Sequence, residues 1–211
     1  MELNKLNMRF KKFGGQSIPN LIEYLSGILE KDPELCISIG CDSKQLRNKT
    51  VYANTVVLYK ASTMGHIIFY REFVPKIVDT FTRLYTEAEY LHTLGTFLHS
   101  ELSDKFGNRQ DITLYDRKKY KYHLNQANLP ILNHIDEMNT INNQFLSEGE
   151  LQQEYKFIDI HVDYNQYDGN GKNRSYSVYR SVVPWLRGEG FRVWTKPYAT
   201  SSTSAADLLL K

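Results

Sequence analysis

Leu21, Ile22, Leu25, Ile28 and Leu29 recur at helical spacing, and a helix is expected over 17–30, with Ser17 as its cap and Pro19 in its first turn. Three apolar runs follow. The first, 35–42, is rich in small residues, whereas 49–61 and 66–75 are rich in Val, Ile, Tyr and Phe. Their lengths suit strands, and the short polar segments between them suit hairpins, so three successive antiparallel strands are expected. Leu84, Leu91, Leu94 and Leu98 then share one stripe of a long helix over about 82–103.

From 104 the pattern lapses into a polar, Asn- and Gln-rich stretch, read as an insertion over 105–155 with one or two short helices. Periodicity returns with a strand over 157–164 and a Gly/Asn loop over 167–174. A helix over 175–187 carries Val178, Val182 and Leu186 inward, with Pro184 as a kink and Gly188 or Gly190 near its end. A strand over 191–196, stopped by Pro197, and a helix over 201–210 complete the chain. This order specifies an α/β fold, a mixed sheet with helices packed on it. One domain over 1–211 accommodates all of it.

Composition changes this picture little. With 41% hydrophobic and 24% charged residues, the chain falls in the folded, soluble class. Lys and Arg number 26 against 24 Asp and Glu, so any nucleic-acid surface must be local. Cys36 and Cys41 share one apolar segment without a ligand-type repeat and read as buried, reduced thiols. No stretch approaches the roughly 20 apolar residues of a membrane span, and the basic start lacks the apolar run of a secretory signal. A cytoplasmic protein without a membrane partner is expected.

Four carboxylates stand where hydrophobic residues or turns would be expected. Asp42 ends the run Ile37-Ser38-Ile39-Gly40-Cys41-Asp42, as a turn residue or as part of a site. At about 100° per residue, Glu87 falls within the leucine stripe of its helix, while Glu89 falls on the polar side. A carboxylate facing a core must be paired, protonated or bound to a cation. Asp163 shares a strand face with Asp159 and His161, which fits either a site or a solvated edge strand, and Asp207 lies among Ala and Leu near the terminus. Clustered acids raise one another's pKa unless cations neutralise them. Such a cluster would therefore hold Mg²⁺ or Mn²⁺. Two such ions about 3.5–4 Å apart activate a water and stabilise a leaving oxygen.

The segments Ile39-Gly40-Cys41-Asp42-Ser43-Lys44-Gln45, Leu84-Tyr85-Thr86-Glu87, Ile160-His161-Val162-Asp163, Gly188-Glu189-Gly190-Phe191, Lys196-Pro197-Tyr198-Ala199 and Ser204-Ala205-Ala206-Asp207 resemble, in that order, the YkuK-type predicted nucleases of the ribonuclease H-like superfamily. The resemblance runs from about residue 17 to the end of the chain. It implies a ribonuclease H-like mixed five-stranded sheet, three antiparallel strands then two more, flanked by helices. It also implies a divalent-metal site formed by Asp42, Glu87, Asp163 and Asp207, and a nuclease activity. Two departures stand out: Cys41 replaces a usual Thr, and roughly fifty residues separate the long helix from the His-Val-Asp strand, where the family has almost none.

Other residues carry two readings each. Lys196 holds a substrate phosphate or pairs with a nearby carboxylate, and Ser43 and Asn165 offer secondary hydrogen bonds to water or substrate. His161 assists proton transfer or is structural. Arg117, Lys118 and Lys119 open a basic-aromatic run through His123 that suits phosphate contact and base stacking, or a solvated face. His134, Asp136 and Glu137 are candidate ligands for a further metal, and Trp185 and Trp194 are assigned to the core. The expected function is phosphodiester hydrolysis on nucleic acid, with RNA or an RNA/DNA hybrid favoured by superfamily analogy. The competing reading is a non-catalytic nucleic-acid-binding or protein-interaction module on the same fold; a phosphotransfer enzyme is disfavoured by the lack of a P-loop.

Overall fold

The computed structural model describes residues 9–60, 65–107, 156–166, 173–196, 199 and 205–210. In chain order the elements are β1 (Lys11–Lys12), α1 (Leu21–Lys31), β2 (Cys36–Gln45), β3 (Lys49–Tyr59), β4 (His66–Pro75), α2 (Thr80–Phe106), β5 (Ile158–His161), α3 (Ser175–Gly188) and β6 (Arg192–Trp194). The strands form one mixed sheet in the order β1-β4-β3-β2-β5-β6. Strands β2, β3 and β4 pair antiparallel, and β5 and β6 extend the sheet in parallel beyond β2. The expected five-stranded α/β architecture is therefore present, with the two-residue β1 added antiparallel to β4.

Local chemistry accounts for the element ends. Helix α1 starts at Leu21 because the Asn20 side chain accepts the Glu23 backbone N–H. Ser17, the expected cap, instead bridges to Lys11, and the Ile18 N–H donates to the Phe10 carbonyl. Those extended pairings hold 17–18 out of a helix. Helix α2 begins two residues before the expected start: Asp79 accepts from the Thr82 N–H and hydroxyl at 2.6 and 2.7 Å. At its other end, α2 runs to Phe106 and takes in the first residues assigned to the insertion.

Pro184 lies inside α3, and Gly190, at φ 82°, follows its end. The Gly190 and Phe191 N–H groups return to the Arg187 and Leu186 carbonyls, a left-handed cap that turns the chain into β6. Trp185 and Trp194, assigned to the core, are only partly buried. The remainder of the insertion, with Arg117, Lys118, Lys119, His134, Asp136 and Glu137, lies outside the described residues, as does the start of the final helix. Residues 205–208 of that helix are helical.

The three helices pack on one face of the sheet through Leu21, Leu25, Ile39, Leu91, Leu94, Leu98, Val178 and Val182, all buried. Burying each such side chain contributes about 1.5–3 kcal/mol. A smaller cluster of Ala53, Ala206 and Leu209, with Phe69 and Leu210 against it, seats the final turn on the opposite face. No described helix is long and apolar enough to cross a membrane.

Candidate active site

Strand β2 is where the sheet changes direction of growth: β3, β4 and β1 follow on one side, β5 and β6 on the other. In open α/β sheets such a switch point opens a crevice at the carboxyl ends of the strands. Register places the acids there. Gly40 of β2 aligns with His161 of β5 in parallel pairing, so two residues further along, Asp42 and Asp163 come level at the mouth. Asp163 lies beyond the end of β5, where the Val162 N–H donates to the Trp194 carbonyl at 2.9 Å and ties the exit to β6.

Glu87 enters from α2. It is 1% exposed, while Glu89 is exposed, as the helical phase requires. Two tyrosines fix the turn that carries it: the Tyr52 hydroxyl donates to the Arg83 carbonyl at 3.3 Å and the Tyr164 hydroxyl to the Leu84 carbonyl at 2.6 Å. Ser43 connects the elements. Its N–H donates to Asp42 Oδ1 at 2.8 Å and its hydroxyl donates to Glu87 Oε1 at 2.5 Å.

Two cations lie among the acids. Arg83, one turn before Glu87, donates to the Ser43 carbonyl at 3.1 Å and to the Ser43 hydroxyl, and its Nη1 is 3.6 Å from Glu87 Oε1. Lys196 Nζ is 2.9 Å from Asp163 Oδ1, so the local pairing foreseen for it is present. That contact is an ion pair off hydrogen-bond alignment, and it leaves the buried Asp163 Oδ1 without a hydrogen-bond donor.

The electrostatics join the four acids in one neighbourhood. Burial first, then Asp163 and Asp207, push Asp42 up to about 6, against the opposing Ser43 N–H and Arg83. Glu87 is held well above the usual carboxylate range by burial and by Asp42 and Asp163, with Ser43 and Arg83 opposing. Asp207 sits partly buried in the final turn, beside Ala206, which packs on Ala53, the cross-strand partner of Asp42.

The donor set is entirely oxygen, from four carboxylates and the Ser43 hydroxyl, and matches the preference of Mg²⁺ and Mn²⁺ for hard ligands. In chemistry and charge these residues fit a divalent cation. Among the described residues, no three His, Cys, Asp or Glu side chains are grouped so as to hold an ion. Arg83 and Lys196 engage two of the carboxylates instead.

Neighbouring polar residues have structural duties. His161 is 5% exposed, and burial lowers its pKa to about 3, so the ring is neutral at pH 7. Asp159 is not on a solvated edge: β5 lies between β2 and β6, and Asp159 accepts from Arg192 Nε at 2.7 Å and from the Tyr59 hydroxyl at 3.2 Å. The Asn165 backbone and side-chain N–H groups donate to the Ser175 hydroxyl, tying the β5 exit to α3. Cys36 and Cys41 are buried thiols not joined in a disulfide, and burial raises both. Sequence reasoning passed over Arg83, Tyr52 and Tyr164. For Arg83 there was a signal, its position four residues before a core-facing Glu.

A family model described as Ribonuclease H-like matches residues 20–211. The match covers most of the chain, and the protein belongs to the ribonuclease H-like family, whose fold the mixed sheet displays. No curated protein and no solved structure matches the chain.

Proposed function

We propose that this protein is a metal-dependent nuclease of the YkuK type, hydrolysing phosphodiester bonds of nucleic acid at a site formed by Asp42, Glu87, Asp163 and Asp207. One observation supports the reading: at the switch point of a ribonuclease H-like sheet, Asp42 is raised by burial and by the charges of Asp163 and Asp207, and Glu87 by burial and by those of Asp42 and Asp163. Buried acids that repel one another are costly in an unliganded protein, and a cation reverses that cost.

In this reading Asp42 would hold the ion or ions from within β2, Asp163 from the β5 exit, Glu87 from the helix and Asp207 from the final turn. Bound there, Mg²⁺ or Mn²⁺ supplies Lewis acidity toward the attacking water and the leaving oxygen of the phosphodiester, a pair of ions serving both. Ser43 orients Asp42 and Glu87 through the hydrogen bonds it makes to each. Lys196 exchanges Asp163 for a substrate phosphate, and Arg83 offsets part of the cost of ionising the buried Glu87. RNA or an RNA/DNA hybrid is the favoured substrate class by family analogy. The segment 105–155 is read as an insertion in a single domain over 1–211, supplying further backbone contacts through Arg117, Lys118 and Lys119.

The test is cleavage of labelled RNA, DNA and hybrid substrates with Mg²⁺ or Mn²⁺ by the wild type and by Asp42→Asn. Cleavage by the wild type alone is expected. Intact substrates with both proteins would leave the non-catalytic binding module as the better reading. Deleting 108–153 should weaken nucleic-acid affinity; unchanged affinity would remove the insertion from the substrate contact.

A further inference from the structure

The face of the sheet opposite the three helices bears the final turn and, among the described residues, no other helix. Strand β4 alternates across the two faces. Ile68 and Tyr70 are buried in the helix-covered core, whereas Arg71, Phe73 and Pro75 on the other face are exposed. Cross-strand register puts Arg71 in a row with Ala53 and Asp42, and Phe73 in the next row with Val51 and Lys44. Adjacent rows are about 7 Å apart. Phe73 is thus one step along the sheet from the row that contains Asp42.

Phe73 is 51% exposed, and Lys49 Nζ lies 4.5 Å from its ring centroid. The part of the ring that Lys49 leaves open presents an aromatic face to which a flat partner can stack. The surroundings are positive: Lys44 lies in the row of Phe73 and Lys49 and Arg71 in the rows to either side, all three exposed, with Lys44 Nζ donating to the Leu210 carbonyl at 3.2 Å. The neighbouring acid, Glu72, points to the helix side of the strand and pairs with Arg9. Overall charge, at +2, gives no hint of this local imbalance. An exposed ring set among cations, beside acids at a strand end, has the chemistry of a base-stacking platform bordered by phosphate contacts.

We propose that Arg71, Phe73, Lys49 and Lys44 form a track for single-stranded nucleic acid, one unpaired base stacking on Phe73 and the flanking phosphates on the cations, directing the strand toward Asp42. The proposal rests on the nuclease reading for its direction, but not for the binding itself. It narrows the substrate class given above to unpaired strands, single-stranded RNA before a hybrid, because a base within a duplex offers no open face to a protruding ring.

The experiment is fluorescence polarisation in EDTA with labelled single-stranded RNA or DNA of roughly 12 nucleotides, within the span of known single-strand sites. Duplexes of the same sequence and polyglutamate serve as comparisons. Phe73→Ala should weaken single-strand binding by about 5- to 100-fold. Lys49→Glu combined with Arg71→Glu should weaken it and flatten its salt dependence, by about 0.7 in log–log slope for each phosphate that is no longer neutralised. Circular dichroism and thermal unfolding check that both variants are folded, and all four side chains are on the surface. Unchanged affinity in both variants overturns the track. So does duplex or polyglutamate binding as tight as single-strand binding and equally sensitive to the substitutions. Binding as expected without wild-type cleavage supports the track and counts against the nuclease reading, whereas cleavage with unaltered binding in both variants removes the track alone.

Discussion

Arg83 Nη1 lies 3.6 Å from Glu87 Oε1, one helical turn away, and both bond the same Ser43 hydroxyl. The guanidinium is the nearest counter-charge to a carboxylate that is 1% exposed. Arg83→Met should therefore leave Glu87 without its cation and lower stability at neutral pH by about 1–3 kcal/mol. Mg²⁺ should restore more stability to this variant than to the wild type, because the ion no longer competes with Arg83. Thermal unfolding with and without Mg²⁺ reads both effects; equal Mg²⁺ responses would show that Arg83 does not share the metal's position.

Stability of the metal-free protein should depend on pH in a direction set by Asp42 and Glu87. Both carboxyls are raised in the fold, Asp42 from 3.8 to about 6. A raised acid favours the folded state while protonated, so its contribution is present below the unfolded pKa and is lost as pH rises through the folded one. Between pH 4 and pH 7.5 this pair therefore destabilises the metal-free protein increasingly. Mg²⁺ should recover that loss at pH 7.5 and do little at pH 5, where protons occupy the ligands. At a hundredfold excess over its dissociation constant, the ion contributes about 2.7 kcal/mol, or roughly 5–10 °C for a chain of this size. A Mg²⁺ shift as large at pH 5 as at pH 7.5 would contradict the assignment.

The Asp159–Arg192 pair joins directly opposed residues of β5 and β6, and Asp159 is 2% exposed. Burial raises the Asp159 pKa, opposed first by Arg192. Arg192→Met should cost about 3–5 kcal/mol, since it strands a buried charge, while replacing both residues by apolar ones of similar size should cost less. Denaturant unfolding of the single and double variants checks the order. A double variant less stable than Arg192→Met would show that the pair acts through more than charge.

Gly95 lets α2 approach the sheet. A Cβ built there would lie 2.8 Å from Phe191 Cε1 and 3.2 Å from Ile39 Cδ1. Gly95→Ala gains helix propensity of about 1 kcal/mol but overpacks the contact at a cost of about 1–3 kcal/mol. A net loss of stability is expected in urea unfolding; a gain would mean that Phe191 moves aside freely.

Much of this arrangement was legible in the chain, because it depends on local periodicity. Leu84, Leu91, Leu94 and Leu98 define a helix face, and Glu87 falls on it by phase alone. Helix starts were less secure: Ser17 and Asn20 are both good caps, and only the long-range pairing of Ile18 with Phe10 decides between them. The alternation of Asp159, His161 and Asp163 was ambiguous for the same reason. Arg192 accounts for Asp159 from a strand that follows a whole helix later, and no spacing rule reaches that far. Family order, rather than residue pattern, brought Asp207 into the set. Lys196 was legible as a cation that would pair with a nearby carboxylate, but that the carboxylate is Asp163, and that Arg83 joins Glu87 and Ser43, emerged only once the elements were assembled.

Anomalous diffraction from a crystal soaked in Mn²⁺ near pH 7.5 tests most directly whether Asp42, Glu87, Asp163 and Asp207 hold a divalent cation. Anomalous density bounded by those four carboxylates is expected, with Arg83 drawn off Glu87 and Lys196 off Asp163. A crystal that takes up Mn²⁺ elsewhere or not at all, with both ion pairs intact, would contradict that assignment.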